Sequence, residues 1–116
     1  MIKNISNLGD AAVYCDFGDE VNKEINSNVI NYFQTIKDKN LENITNLAPS
    51  YNKLIVSFDL SLTNYSKVKK FIENLEIKKT KQTEVEYIEI PVCCEKNFNL
   101  DSERLEHILN IKFEKL

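Results

Sequence analysis

Glycine and proline are scarce in this chain, with two of each, and tryptophan is absent. So few flexible or rigid backbone positions exclude a collagen-like, low-complexity or linker-rich chain. Arginine is scarcer still: Arg104 is the sole one, so a phosphate or carboxylate clamp built on several guanidinium forks is excluded. The net charge of -3 argues against a nucleic-acid binder, which carries a basic stripe. No apolar run approaches the roughly 18 residues that a membrane helix requires. The first residues, Met1 to Ser6, lack the hydrophobic segment of a signal peptide, so a cytoplasmic location is expected and no membrane partner. The acceptor-like triplets Asn4-Ile5-Ser6, Asn43-Ile44-Thr45 and Asn64-Tyr65-Ser66 are then chance matches. Asn, Ile and Lys are abundant in the pattern of an AT-rich genome, so the asparagines carry no functional weight.

Cysteine is limited to Cys15, Cys93 and Cys94. An odd number without export argues against a disulfide framework. Adjacent Cys93 and Cys94 with a distant His107 do not make a zinc-ligand spacing, so no metal site is expected and the thiols are read as buried or half-buried small hydrophobes. No phosphate-binding glycine loop, G-x-S-x-G elbow or H-E-x-x-H run occurs. His107 is read as a surface histidine, because no nucleophile is placed for it to serve. Lys67, Lys69, Lys70, Lys78, Lys79 and Lys81 are read as a solvated helix face.

What the chain does contain is periodic. A length of 116 residues suits one compact domain with its own core. Residues 2–6 and 11–17 are short β-rich runs closed by Gly9-Asp10 and Gly18-Asp19, and they can pair as a hairpin. Val21, Ile25, Val29, Tyr32, Phe33 and Ile36 fall at spacings of three and four, which predicts a helix over 21–38 capped by Asp19 or Asn22. Residues 44–48 predict a strand stopped by Pro49. Residues 52–59 predict a central one, because Ile55 is apolar between Leu54 and Val56. Tyr65, Val68, Phe71, Ile72 and Leu75 predict a second helix over 64–76 capped by Asn64 or Ser66. Residues 84–92 predict a fifth strand, with Pro91 marking an end or edge of the sheet. A last short helix, capped by Asp101 or Ser102, carries Leu105, Ile108 and Leu109. The order ββαββαβ plus that short helix predicts an α+β, ferredoxin-like sandwich: a mainly antiparallel sheet with two helices on one face.

Three segments, in order, resemble one family. Leu8-Gly9-Asp10-Ala11-Ala12-Val13 and Phe17-Gly18-Asp19-Glu20 are similar to its "LGD-x-A … FGD" opening. Pro49-Ser50-Tyr51-Asn52-Lys53-Leu54 through Asp59 is similar to its "P-A/S-Y-x-S-L" segment, with Lys53 where a serine is commoner. Residues 88–101 resemble "IPVCYGGEFGPDL", but Cys94 replaces the tyrosine and the glycines are missing. The family is that of the 5-oxoprolinase component PxpB and of KipI, also called allophanate hydrolase subunit 1.

The resemblance implies an N-terminal domain over residues 1–84 and, over 85–116, a domain junction and the start of a cyclophilin-like domain that is otherwise absent. The chain is then a fragment of a longer member or a short one. It implies a non-catalytic part of an ATP-dependent complex that opens 5-oxo-L-proline to L-glutamate. The C-type and A-type subunits of 5-oxoprolinase would be its partners, and the ATP would be handled by the complex. Two alternatives are inhibition of a sporulation sensor histidine kinase and a role beside a urea carboxylase or allophanate hydrolase. No catalytic, cofactor or metal residue is expected in this chain. Gly9, Gly18 and Pro91 are read as backbone devices, Asp10 and Asp19 as turn or cap residues, and Pro49 and Cys93 as motif positions. Tyr51 is read as a core ring rather than a cleft residue.

Overall fold

The structure is a computed structural model and describes residues 1–79, 87–93 and 95–112. The chain divides into two units, Met1–Thr83 and Glu84–Leu116.

The first unit begins with β1 (Asn4–Asn7) and β2 (Ala12–Asp16), an antiparallel hairpin turned at Gly9. Gly9 has φ of +64°, in the left-handed region that glycine enters at no steric cost. Helix α1 (Lys23–Asp38) follows, and of the two expected caps it uses Asn22, whose side chain accepts from the Glu24 amide at 2.7 Å. Its end is made by Asn40 at φ +45°, a left-handed stop that asparagine tolerates. β3 (Ile44–Pro49) and β4 (Lys53–Phe58) form a second antiparallel hairpin. Pro49 is the last residue of β3 rather than its stop. Helix α2 (Tyr65–Glu73) is capped by the Asn64 side chain, which accepts from the Lys67 amide at 3.1 Å. It ends short of the expected residue 76: Asn74 leaves the helical conformation and its side chain donates to the Lys70 carbonyl at 2.9 Å.

The four strands make one antiparallel sheet in the order β1-β2-β4-β3. β2 and β3 are both antiparallel to β4 and so parallel to each other, with α1 crossing between them and β4 inserted. This is the split βαβ arrangement of a ferredoxin-like sandwich. The place beside β2, which the strand after the second helix takes in that arrangement, is filled here by β1. The expected fifth strand is therefore corrected. Residues 87–92 carry no strand, so Pro91 ends none, while residues 84–86 of that expectation lie outside the described residues. The edge it would have joined is already occupied.

The alternation read in the sequence sets the layering. Val13 and Cys15 of β2 face the same side as Leu54, Val56 and Phe58 of β4, and Val13 pairs with Val56 as Cys15 does with Leu54. Val29 and Ile36 of α1 and Val68 and Ile72 of α2 complete one buried cluster, so both helices lie on this face. Each such side chain stabilises the fold by roughly 1.5–3 kcal/mol on burial. Phe17 joins the cluster and meets Tyr32 edge-on, with ring centroids 5.3 Å apart. Thr35 is buried on α1, but its hydroxyl donates to the Asn31 carbonyl at 2.7 Å and accepts from the Lys78 amide at 3.4 Å. The second bond ties the chain after α2 back along α1. The other face of the sheet, with Ala12, Tyr14, Asp16, Lys53, Ile55 and Ser57, is half-buried.

The second unit has a 3-10 turn at Lys96–Phe98 and helix α3 (Ser102–Leu109). Asp101 occupies the cap position without a side-chain cap bond, and Asn110 at φ +51° ends the helix. None of its described residues is buried, and Phe98, Leu100, Ile108 and Leu109 are exposed. His107 is exposed, as expected. Cys15 is buried, and burial pushes its thiol up to about 12. Cys93 is exposed, correcting the expectation of a covered thiol, and Cys94 lies outside the described residues.

Neighbours on β4 test the layering. Leu54→Ala, at a fully buried position, is expected to cost about 2–5 kcal/mol in chemical denaturation. Ile55→Ala, one residue along on the half-buried face, is expected to cost clearly less; equal losses would contradict the assigned faces.

Candidate functional site

The register of the sheet puts the family-like segments at its two ends. β1 and β2 turn at Gly9-Asp10, beside the carboxyl end of β4, where the Phe58 amide donates to the Ala11 carbonyl at 2.9 Å. Asp10 is exposed at that turn. Asp59 stands at the same end and accepts from the amide and hydroxyl of Ser61 at 2.8 and 2.7 Å, which holds its carboxyl below the ordinary carboxylate value. Gly18-Asp19 lies at the opposite end, where β2 finishes and β4 begins. The two Gly-Asp pairs, alike in sequence, are thus separated by the length of the strands.

At the Gly18 end the fold assembles its densest polar cluster. Asp16 and Lys53 are directly opposed across β2 and β4, on the face away from the helices. The Lys53 ammonium donates to Asp16 Oδ1 at 2.5 Å, to the Gly18 carbonyl at 2.9 Å and to Asp19 Oδ1 at 2.9 Å. The Gly18 amide also donates to Asp16 Oδ1, at 2.8 Å. Gly18 adopts φ of +126°, and a Cβ there would lie 3.0 Å from the Lys3 ammonium. Glycine thus lets the backbone fold under the lysine, while Lys53 neutralises the carboxylates that close over it.

Main-chain bonds extend the cluster to the β3–β4 turn. The Phe17 amide donates to the Asn52 carbonyl at 3.1 Å, and the Asn26 side chain of α1 donates to the Tyr51 carbonyl at 2.9 Å. The Tyr51 ring is 43% exposed, which corrects its reading as a core residue. A two-residue turn, with the Ser50 amide donating to the Lys53 carbonyl at 2.9 Å, places Tyr51 at its tip. Of the expected positions, Gly18, Asp19, Pro49 and Tyr51 therefore share one end of the sheet, and Gly9 and Asp10 share the other. Pro91 and Cys93 belong to the second unit. Sequence reasoning missed Asp16 and Lys53. Their only signal was an acid and a base on strands whose register could not be read from either strand alone.

The Asp16 carboxyl is held below the ordinary carboxylate value, first by the bond from Lys53 and then by the Gly18 amide. Lys53 is correspondingly raised, first by Asp16 and then by Asp19. All these groups satisfy one another. Such a cluster clamps the chain entering α1. Among the described residues no set of three or more His, Cys, Asp and Glu side chains is grouped to hold a metal ion. One open indentation, of about 330 Å³, lies between α1 and β3 and is lined by Phe33, Ile36, Leu41 and Leu47 among others.

A family model, carboxyltransferase domain, subdomain C and D, matches residues 3–116. The chain belongs to this carboxyltransferase-domain family. No curated protein sequence matches it. Among solved structures, a conserved uncharacterized protein of Pyrococcus horikoshii is 31% identical, with a TM-score of 0.58 over 60% of this chain and 32% of its own. The match therefore spans about a third of that protein's length. The N-terminal domain of the histidine kinase inhibitor KipI from Bacillus subtilis is 24% identical, with a TM-score of 0.50 over 60% of this chain and 79% of its own. The crystal structure of TTHA0988 is 17% identical and matches 91% of this chain and 20% of its own at a TM-score of 0.57. The last two likenesses are likenesses of fold. The family expected from the Gly-Asp turns and the Pro49–Asp59 segment is the family found. Among the described residues no helix is long and apolar enough to cross a membrane.

Two tests separate backbone from charge. Gly9→Asn is expected to change stability by no more than about 0.5 kcal/mol, because asparagine tolerates the left-handed region and the position is open. Gly18→Asn is expected to cost about 1–3 kcal/mol, since φ near +126° is outside that region. For the ion pair, the depressed Asp16 adds stability that is fully present above its unfolded value and is lost as pH falls through its folded one. The raised Lys53 adds stability that is fully present below its unfolded value and is lost as pH rises through its folded one. Lys53→Met should therefore move the Asp16 titration upward in carboxyl-detected NMR. It should also flatten the rise of stability with pH just below about pH 4. An unmoved Asp16 titration would show that the lysine does not hold it.

Proposed function

We propose that the chain is a non-catalytic N-terminal domain of one component of an ATP-dependent 5-oxoprolinase, which opens 5-oxo-L-proline to L-glutamate. The carboxyltransferase-domain family and the three motif segments support the family part of this reading. The observation that carries the non-catalytic part is the Lys53 cluster. Asp16, Lys53 and Asp19, within or beside the motif segments, are engaged with each other and hold the entry to α1. The lactam carbonyl of 5-oxoproline is a stable amide, so its hydrolysis gains from coupling to ATP. That coupling would belong to the A-type and C-type subunits as partners, with no nucleotide held by this chain, and the complex would be cytoplasmic. Residues 85–116 would be the junction and the start of a cyclophilin-like domain. The absence of any buried residue among the described part of the second unit, with Leu100 and Ile108 in the open, supports a segment whose packing partner is further protein.

A second reading is favoured by the fold shared with the N-terminal domain of a histidine kinase inhibitor. On that reading the protein blocks autophosphorylation of a sensor kinase by occupying its surface. A role beside a urea carboxylase or allophanate hydrolase is the third reading that the resemblance implies.

The two main readings diverge in growth and in a kinase assay. Deleting the gene is expected to abolish growth on 5-oxoproline, restored by a plasmid copy; undiminished growth would remove the first reading. An inhibitor would instead suppress sensor-kinase autophosphorylation at stoichiometric concentration, and the first reading expects no such suppression.

A further inference from the structure

Charge is unevenly spread along the sequence. Between residues 67 and 81 stand six of the 15 cationic side chains, against only Glu73 and Glu76, in a chain whose net charge is -3. Lys69 is matched by Glu73 at 3.8 Å, whereas Lys39, Lys67 and Lys70 make no ion pair among the described residues. These three lysines line one shallow groove of about 530 Å³, floored by Phe71 and Leu75 and closed by Asn74 and Glu76.

Helix electrostatics account for only part of this. Lys70 stands in the last turn of α2 and Lys39 at the end of α1, where a cation complements the helix dipole. Lys67 stands in the first turn of α2, which carries no acidic residue, and there a cation opposes the dipole. Its position makes sense as part of a surface rather than of the helix. Phe71 and Leu75 are half-buried, so the groove has an apolar floor beneath a cationic rim.

We propose that this groove docks an acidic amphipathic segment of a partner protein, with glutamates or aspartates on Lys39, Lys67 and Lys70 and apolar side chains on Phe71 and Leu75. The charge complementarity selects an acidic partner. The floor selects a peptide over a simple anion, which would leave Phe71 and Leu75 uncovered. The net negative charge of the chain and the lack of arginine at the groove disfavour a nucleic acid. The inference does not depend on the 5-oxoprolinase reading.

The test uses the full chain and a labelled 16-residue helical peptide with glutamates on one face and leucine and phenylalanine on the other. Amide shifts in NMR are expected to be confined to Lys39 and the 67–76 ridge. The affinity is expected to fall steeply as salt rises from about 0.05 to 0.5 M. The double variant Lys67→Glu with Lys70→Glu is expected to weaken binding by roughly tenfold or more. Both positions are exposed, and an unchanged spectrum elsewhere confirms the variant's fold. Lys67→Gln with Lys70→Gln serves as a milder second variant, expected to weaken binding in the same direction. Equal binding by both double variants, or by a peptide with serines for its apolar residues, would overturn the proposal. So would no shifts up to millimolar peptide. Tighter binding of oligouridylate to the same lysines, or self-association through them in sedimentation, would also overturn it in favour of a nucleic acid or a second copy.

Discussion

The first unit depends on a two-residue alternation shared by β2 and β4. Because Val13 opposes Val56 and Cys15 opposes Leu54, one face of the sheet is a continuous apolar layer, and α1 and α2 seat on it. A slip of one residue would turn every one of these side chains to the other face, so the core and the register specify each other. The same register brings Asp16 opposite Lys53 at the end of the strands, on the side the helices leave. The ion pair is thus a consequence of core packing before it is anything else.

From that pair the loop architecture follows. Lys53 reaches three acceptors, two of them on the segment leading into α1, and Gly18 supplies the backbone turn that carries them beneath the ammonium. Asn26 and Phe17 then stitch the same segment to the β3–β4 turn. The entry to α1, the end of β2 and the second hairpin behave as one corner. A corner bonded in this way holds the entry to α1 against the second hairpin. Lys39, Lys67 and Lys70 line a separate groove with Phe71 and Leu75.

Permutation explains how a chain with four strands in this unit completes a ferredoxin-like layer. The hairpin of β1 and β2 delivers an edge strand before the split βαβ begins, and among the described residues β1 fills that side of the sheet. Residues 87–92 have strand-like composition, and composition alone cannot say whether an edge is vacant.

Elements whose signal is local were legible in the sequence. The stripes of α1 and α2, the Asn22 and Asn64 caps as members of short candidate pairs, the positive φ at Gly9 and Gly18 and the alternation in β4 all rest on neighbours within a few residues. The family was legible too, because its motif segments are continuous in the chain. Other features emerge only in the folded chain, because they join residues far apart in sequence. Strand order, the exposure of Tyr51 at a turn tip and the meeting of Asp16 with Lys53 across 37 positions are of this kind. Periodicity tells each strand which face is apolar, but pairing between strands is settled by the shared core. Only that core fixes which charge stands opposite which.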